Sequence, residues 1–198
     1  MAHDPLAVFH AAVQASGATS SDFDLNPDVV LPLGRVLRPA AVLVVYKMLA
    51  GQPHLVLTKR SSALKHHPGQ IAFPGGKRDD ADTDISITAL REAHEEIGLA
   101  PNEVEVLGQL PSHETVTGFA VTPVLGRMTC DFEPKAEQGE VSEVFSVPLQ
   151  HVMNPQNFVI QSRRWRGNKR HYYTVPYGPY YIWGATACIL RRMIGKCG

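Results

Sequence analysis

The segments Phe73-Pro74-Gly75-Gly76 and Arg91-Glu92-Ala93-His94-Glu95-Glu96-Ile97-Gly98-Leu99 decide the fold of this chain. A glycine-rich turn leads into a stretch with helical periodicity. At about 100° per residue, Glu95 and Glu96 fall within roughly 60° of Glu92 on one helix face. Three like charges within one turn disfavour a helix unless a cation binds there. The pattern therefore predicts a site for Mg²⁺ or Mn²⁺ together with a substrate phosphate.

A second stripe on the same helix is apolar, and we expect it to pack against the core. It lies about 100–160° from Glu92 around the helix axis. Its members are Leu90, Ala93, Ile97 and, beyond them, Ile87. Asp82 and Asp84 lie near the predicted start of the helix, where negative charge suits the helix dipole. Gly98 is placed to end the helix as a C-terminal glycine.

This pattern resembles the Nudix box, which runs Gly, five residues, Glu, seven residues, then Arg-Glu-apolar-x-Glu-Glu-x-Gly-apolar. The chain supplies Gly76, Asp82, Arg91, Glu92, Ala93, Glu95, Glu96, Gly98 and Leu99. Two departures are visible. Asp82 stands where the family usually has glutamate, and eight residues rather than seven separate it from Arg91. The segment from Arg91 to Leu99 is intact, whereas the role of Asp82 is left open.

The residues before the box narrow the resemblance. The run from Val56 to Gly76 is similar to the motif Leu-Leu-Thr-x-Arg-Ser…Arg…Gly…Phe-Pro-Gly-Gly of the coenzyme A pyrophosphatase branch of Nudix hydrolases. Val56 replaces a leucine, and Lys65 replaces an arginine, which keeps the charge but loses the bidentate fork. Residues 110–124 also resemble this branch, so that the resemblance spans roughly residues 37–150.

The resemblance implies an α+β fold, the Nudix α/β/α sandwich built around a mixed β-sheet. It also implies the metal ligands. Glu92 and Glu96 are expected to bind Mg²⁺ or Mn²⁺, with Glu95 as a third ligand or as the base that activates water. A carbonyl of Gly75 or Gly76 is expected to complete the shell, and Arg91 to orient a glutamate.

Residues outside the box are expected to contribute as well. In several Nudix enzymes a further acid comes from a loop, and Glu140 is our candidate. The alternative is that its acidic surroundings are simply a solvated surface. The cationic residues Lys59, Arg60 and Lys65 precede the box and are expected to contact substrate phosphate. The alternative for Lys59 and Arg60 is a role in surface ion pairs.

The implied reaction is metal-dependent hydrolysis of coenzyme A or acyl-CoA to 3′,5′-ADP and (acyl-)4′-phosphopantetheine. One alternative is a Nudix pyrophosphohydrolase acting on ADP-ribose, NADH or an oxidised nucleotide, because the box alone fits it equally well. Another is a non-catalytic Nudix module that binds a nucleotide. The presence of all three box glutamates argues against that alternative. In each case the expected partner is a small nucleoside diphosphate derivative, and the resemblance also allows a homodimer.

Composition limits the remaining functions. The 198 residues contain 19 Lys+Arg and 19 Asp+Glu, so the formal charge is zero, which argues against a general nucleic-acid binder. The cysteines are Cys130, Cys188 and Cys197; they are widely spaced, suit reduced thiols, and none has the spacing of a metal site. We expect no membrane span and no signal peptide, and hence a cytoplasmic protein.

The chain is expected to divide into an N-terminal helix with an irregular linker at residues 1–36 and a single Nudix domain at 37–198. Asp4 is predicted to cap the first helix, with Pro5 at its first position. The patterns of apolar residues predict the other elements. Strands are expected at 40–46, 54–59, 104–110 and 121–128, a hairpin at 157–165 and 171–175, and a final helix at 182–194.

Overall fold

The structure is a computed structural model that describes residues 4–14, 17–165 and 167–195. The described residues form four α-helices: α1 (Pro5–Gln14), α2 (Ile85–Ile97), α3 (Leu149–Val152) and α4 (Ala185–Met193). They also form eleven strands: β1 (Ser20–Ser21), β2 (Arg38–Leu49), β3 (Gln52–Arg60), β4 (Ile71–Ala72), β5 (Gly75–Lys77), β6 (Val104–Gln109), β7 (His113–Glu114), β8 (Phe119–Met128), β9 (Val141–Pro148), β10 (Val159–Trp165) and β11 (Asn168–Thr174).

Nine of the strands in the described ranges form one mixed sheet around β2 and β3. The path through it runs β1-β7-β8-β2-β3-β4; β5 joins β2, β6 joins β8 and β9 joins β3. The pairs β1–β7 and β2–β8 are parallel, whereas the other pairs are antiparallel. The strands β10 and β11 form a separate antiparallel hairpin.

Both faces of the sheet are covered by helices. On one face Ala41, Leu43 and Val45 of β2 pack with residues of α2. On the other face Val44 and Tyr46 pack in a cluster that includes residues of α1, α3 and α4. Adjacent residues of a strand point to opposite faces, so a central strand covered on both sides reads as a continuous apolar run. The predicted α/β/α sandwich around a mixed sheet is confirmed.

Most predicted elements are present, with shifted ends. The final helix begins at Ala185 rather than at residue 182, because Gly184 has a φ of 63° and the preceding Trp183 pairs with Thr174 instead. The segment 111–118, between the strands predicted at 104–110 and 121–128, contains the short strand β7. The hairpin is confirmed, and its turn residue Arg166 lies outside the described residues.

The N-terminal residues contribute to the same core. Helix α1 begins after Asp4, as predicted, and its Phe9 is fully buried against Tyr46. The segment 17–35 was predicted to be irregular, but Ser20 and Ser21 form β1 by pairing with β7. No helix among the described residues is long and apolar enough to cross a membrane.

Candidate active site

Helix α2 carries the three box glutamates, and its ends are defined by capping. Asp84 is the N-cap, and its Oδ1 accepts a hydrogen bond of 2.7 Å from the backbone N–H of Ser86. Gly98 adopts the left-handed conformation, with a φ of 76°, and donates its N–H to the carbonyl of His94. The predicted helix and its glycine stop are therefore confirmed.

The packing face of α2 is rotated from the predicted stripe. Ala89, Ala93 and Ile97 are fully buried against the sheet. Ile87 was predicted to extend this stripe, but it is 44% exposed. Thr88 is buried instead, because the helix turns its Thr88–Glu96 side toward β5 and the sheet.

This rotation places the three glutamates in unequal surroundings. The side chain of Glu96 is 5% exposed, that of Glu92 is 17% exposed and that of Glu95 is 57% exposed. The sequence pattern predicted three carboxylates on one helix face, without predicting how deeply each is buried. The structure instead has a gradient, from a carboxylate enclosed by protein to one largely in water.

The paired glycines of β5 allow the glutamates to lie directly on the strand. The backbone N–H of Gly75 donates a 3.2 Å hydrogen bond to Oε2 of Glu96. A Cβ atom added to Gly76 would lie 2.4 Å from the carboxyl carbon of Glu92, and one added to Gly75 would lie 2.3 Å from the carbonyl oxygen of Ala41. The position of Gly75 therefore requires glycine, because the clash is with backbone atoms, whereas a side chain at Gly76 would displace the end of the Glu92 side chain. Metal binding by the carbonyls of Gly75 and Gly76 stays a prediction.

Arg91 links the acidic groups of the box. Its Nε and Nη2 donate to the two carboxylate oxygens of Asp82, at 3.2 and 3.0 Å. Its Nη1 donates to Glu92 at 3.0 Å and to Glu95 at 3.1 Å. The predicted orienting role of Arg91 is consistent with these contacts. The bidentate pair with Asp82 fixes the plane of the Arg91 guanidinium. The guanidinium in turn fixes the orientation of the Glu92 and Glu95 carboxylates that it contacts.

The structure accounts for Asp82, whose role the sequence left open. Asp82 is buried and also accepts hydrogen bonds from the N–H of Asp79 and the hydroxyl of Thr88, at 3.0 and 2.9 Å. The Arg91 hydrogen bonds hold the pKa of Asp82 well below its usual range. Asp82 is therefore an anchor for Arg91.

Burial changes the acidity of two box glutamates. Burial raises the pKa of Glu96 from 4.5 to about 7, opposed by the Gly75 hydrogen bond and by Arg60. Burial also raises the pKa of Glu92, opposed by Arg91. The negative charge of Glu140 makes a smaller contribution that also raises the pKa of both glutamates.

The segment 133–140 reaches the site by following the end of α2. The backbone N–H groups of Lys135 and Glu137 donate to the carbonyls of Ile97 and Glu96, both at 2.9 Å. The exposed Glu140 follows, and its own carbonyl accepts from Ser61. Glu143, the next acid, is hydrogen-bonded to the hydroxyl of Tyr180 at 2.5 Å. The segment that carries Glu140, the candidate acid outside the box, therefore runs along the C-terminal end of α2.

The three cationic residues of the upstream motif differ in their relation to the box glutamates. Nη1 of Arg60, at the end of β3, lies 3.9 Å from Oε1 of Glu96. Lys59 is exposed on the same strand, and Lys65 is exposed in the loop between β3 and β4. Only Arg60 of these three forms an ion pair with a box glutamate within the described residues. Sequence reasoning grouped the three cations without separating Arg60.

The donor set fits a hard divalent cation. Mg²⁺ and Mn²⁺ prefer carboxylate oxygens, which Glu92, Glu95, Glu96 and Glu140 carry. Within the described residues no three of these acids have oxygens that all lie within 4.8 Å of one another, so their side chains would move together when a cation binds. The raised pKa values of Glu92 and Glu96 show that neighbouring protein groups do not fully compensate their negative charge. A cation would supply that compensation.

Comparisons with known proteins agree with this geometry. The family model described as NUDIX domain matches residues 37–168. Nudix hydrolase NudL of Enterobacter sp. (strain 638) is 41% identical over 186 residues, covering 88% of this chain and 96% of the relative. NudL of Klebsiella pneumoniae (strain ATCC 700721) is 40% identical over 189 residues, covering 90% of this chain and 98% of the relative.

Solved structures share the fold at lower identity. A MutT/nudix family protein from Enterococcus faecalis aligns with a TM-score of 0.54 at 17% identity, covering 84% of this chain and 64% of the other. The Nudix hydrolase RenU from M. smegmatis aligns with a TM-score of 0.51 at 24% identity, covering 61% of this chain and 83% of the other.

Proposed function

The chain belongs to the Nudix hydrolase family, which acts on pyrophosphate bonds of nucleoside diphosphate derivatives, and we propose that its substrate is coenzyme A or an acyl-CoA. The products are 3′,5′-ADP and (acyl-)4′-phosphopantetheine. The proposal extends the resemblance of the Val56–Gly76 segment to the coenzyme A pyrophosphatase branch.

The position of Arg60 is the observation that carries this proposal. Arg60 belongs to the upstream motif, and its guanidinium lies 3.9 Å from the Glu96 carboxylate in the box. A guanidinium at this distance from Glu96 suits a diphosphate that would contact both the guanidinium and a metal ion held by the carboxylate. Lys65 extends the positive charge along the adjoining loop, where it would meet the 3′-phosphate that distinguishes coenzyme A.

The carboxylates have separate tasks in the proposed reaction. Glu92 and Glu96 hold Mg²⁺ or Mn²⁺, together with a carbonyl of Gly75 or Gly76. When bound, the metal neutralises charge on phosphate oxygens and lowers the pKa of a bound water. Arg91 keeps Glu92 and Glu95 oriented through hydrogen bonds of 3.0 and 3.1 Å.

The base that accepts the proton of the attacking water must be accessible to water. Glu95 and Glu140 are both exposed, and we assign the role to one of them. Arg91 hydrogen-bonds Glu95, whereas Glu140 reaches the site from a loop. A larger fall in kcat for Glu95→Gln than for Glu140→Gln would assign the base to Glu95, and the reverse order would assign it to Glu140.

Product analysis tests the substrate. The full-length protein is incubated with Mg²⁺ or Mn²⁺ and, separately, with coenzyme A, ADP-ribose, NADH and 8-oxo-dGTP. We expect the highest kcat/KM for coenzyme A or its acyl derivative, with 3′,5′-ADP as a product. Equal or higher kcat/KM for another diphosphate would refute the assignment and support the alternative Nudix substrates.

Two variants test the site. Glu96→Gln should abolish turnover, while Glu105→Gln, which removes the exposed ion pair between Glu105 on β6 and Arg127 on β8, should retain it. Lys65→Ala should lower kcat/KM for coenzyme A more than for dephospho-coenzyme A, which lacks the 3′-phosphate. An unchanged rate for Glu96→Gln would show that Glu96 is not part of the metal site. If Lys65→Ala lowered kcat/KM equally for coenzyme A and dephospho-coenzyme A, Lys65 would not contact the 3′-phosphate.

A further inference from the structure

A second cluster of metal-ligating groups lies outside the glutamate box. The ligand atoms of Asp22, His113 and Cys188 all lie within 4.8 Å of one another. Within the described residues, no other three side chains of Asp, Glu, His or Cys have ligand atoms that all lie within 4.8 Å of one another. The three residues come from the segment after β1, from β7 and from α4, and only the tertiary fold brings them together.

We propose that Asp22, His113 and Cys188 bind a borderline divalent metal ion of the Zn²⁺ class. Carboxylate oxygen, imidazole nitrogen and thiolate sulfur are the ligand types that Zn²⁺ takes in proteins. At metal–ligand distances of about 2.0–2.3 Å, tetrahedral ligands lie roughly 3.3–3.6 Å apart. Nε2 of His113 and Oδ1 of Asp22, now 3.0 Å apart, would separate slightly, and Sγ of Cys188, within 4.8 Å of a ligand atom of each residue, would lie at a similar spacing from both. The thiol proton of Cys188 passes to solvent as the thiolate binds.

Neighbouring groups already orient two of the ligands. Nδ1 of His113 is hydrogen-bonded to the hydroxyl of Ser20 at 2.8 Å, which leaves Nε2 directed at Asp22, 3.0 Å away. Oδ2 of Asp22 accepts the N–H of Val116 at 2.9 Å, so Oδ1 is the oxygen that faces the histidine. Metal-binding histidines and carboxylates typically form a hydrogen bond through the nitrogen or oxygen that does not bind the metal. The metal would replace the contact between Nε2 and Oδ1.

The cluster borders a cavity that leaves space for a fourth ligand. Asp22 and Cys188 line a cavity of about 190 Å³, together with Ser20, Leu25, His171 and Arg192. This volume accommodates several water molecules. Three protein ligands with a water in the fourth position complete tetrahedral coordination.

The ligand chemistry separates this site from the glutamate box. The box offers oxygen ligands, which suit Mg²⁺ and Mn²⁺, whereas a thiolate and an imidazole favour Zn²⁺ and Co²⁺. Because the proposed ligands do not include a box residue, the site does not depend on the proposed substrate. Metal binding would join the N-terminal segment and α4 to the sheet at one point.

Cobalt substitution tests the proposal without measuring activity. The metal-free full-length protein is titrated with Co²⁺ and its absorbance is recorded. We expect a thiolate-to-Co²⁺ charge-transfer band and the d–d bands of tetrahedral Co²⁺, saturating at one equivalent. The bands should be lost in Cys188→Ser and kept in the double variant Cys130→Ser/Cys197→Ser, in which Cys188 is the remaining cysteine. They should also be kept in Glu96→Gln, which alters the box.

Zinc affinity and thermal stability give a second measurement. Calorimetric titration should show that Asp22→Asn binds Zn²⁺ at least tenfold more weakly than the wild type. Zn²⁺ should raise the Tm of the wild type more than that of Asp22→Asn. Absence of the charge-transfer band in the wild type, its persistence in Cys188→Ser, or its loss in the double variant would overturn the proposal. Asp22 and His113 would then form only a structural hydrogen bond.

Discussion

Glu92, Glu95 and Glu96 have the same side chain but different chemistry, because their exposure to water differs. The buried Glu96 has a raised pKa, while the exposed Glu95 is hydrogen-bonded by Arg91. Removing a carboxylate from water disfavours its charged form. A divalent cation bound beside Glu96 and Glu92 would offset this penalty, so metal binding there would be coupled to the stability of the fold.

The raised pKa of Glu96 predicts a pH dependence of stability in the metal-free protein. Its folded pKa is about 7 and its ordinary value is 4.5, so between these pH values the folded state binds the proton more tightly than the unfolded chain. Stability therefore falls as pH rises through this window and stays low above it. The whole shift corresponds to about 3 kcal/mol.

Urea unfolding with EDTA present at pH 5 and pH 8 measures this effect. The Glu96→Gln variant has no titrating group at position 96. Subtracting its change in unfolding free energy with pH from that of the wild type isolates the contribution of Glu96. The wild type should lose about 2–3 kcal/mol more than the variant between the two pH values. Parallel profiles would show that Glu96 titrates normally.

Gly76→Ala should impair the box while leaving most of the fold intact. The added Cβ would lie 2.4 Å from the Glu92 carboxyl carbon, so the glutamate must move away from the strand. We expect at least about a tenfold fall in kcat/KM, because a misplacement of roughly 1 Å in an active site can cost about 100-fold in rate.

Gly17→Ala is the matched control, because nothing lies within 4 Å of a Cβ at that position. Its kinetics should equal those of the wild type. A Gly76→Ala enzyme with wild-type kcat/KM would show that the close approach of Glu92 to β5 is not required for activity.

Helix α2 combines packing and chemistry, and its rotation decides which residues serve each. Ala89, Ala93 and Ile97 face the sheet, while Ile87 faces solvent. The small side chains of the two alanines allow α2 to approach β2 closely. The same approach brings Glu92 and Glu96 onto β5.

Truncating two isoleucines of α2 tests this rotation. Ile97→Ala should lower the free energy of unfolding by about 3 kcal/mol, because it opens a cavity at a fully buried position. Ile87→Ala should change it by less than about 0.5 kcal/mol, since that side chain is 44% exposed. Chemical denaturation measures both; equal losses would mean that the helix is rotated differently.

At the scale of the whole molecule, helices from the N-terminal and C-terminal parts of the chain pack in the same hydrophobic core as the central strands. Phe9 of α1 and Leu190 of α4 are fully buried in the same cluster as Tyr46 of β2. Strand β1 extends the sheet through β7. The N-terminal segment is thus part of the packed structure in the described residues.

Phe9→Ala should destabilise the entire molecule rather than the N-terminal segment alone. Loss of a fully buried phenylalanine costs about 3–5 kcal/mol, and Phe9 also contacts the Tyr46 ring edge-on at 5.0 Å. A single unfolding transition shifted to lower denaturant is expected by circular dichroism. The exposed His10→Ala on the same helix is the control. A separate early transition would indicate that α1 unfolds independently.

The sequence was sufficient to predict the principal strands, α2 and the box residues. Helix periodicity and the Asp84 and Gly98 caps are local, and β2 reads as an apolar run because it is covered on both faces. The ends of α4 and the strand pairing of β1 with β7 were missed. These depend on partners distant in sequence, and two-residue strands such as β1 have too few residues to show a pattern.

By itself the sequence determined which residues carry the box, because the spacing of Glu92, Glu95 and Glu96 follows from helix geometry alone. Only the tertiary structure decided how deeply each lies, since burial depends on how α2 is rotated against the sheet. It alone also decided that Asp82 anchors Arg91 and that Cys188 meets His113 and Asp22. Cys188 has no metal-site spacing to another cysteine along the chain, and its place beside His113 and Asp22 becomes visible only when the fold brings these distant segments within a few ångströms.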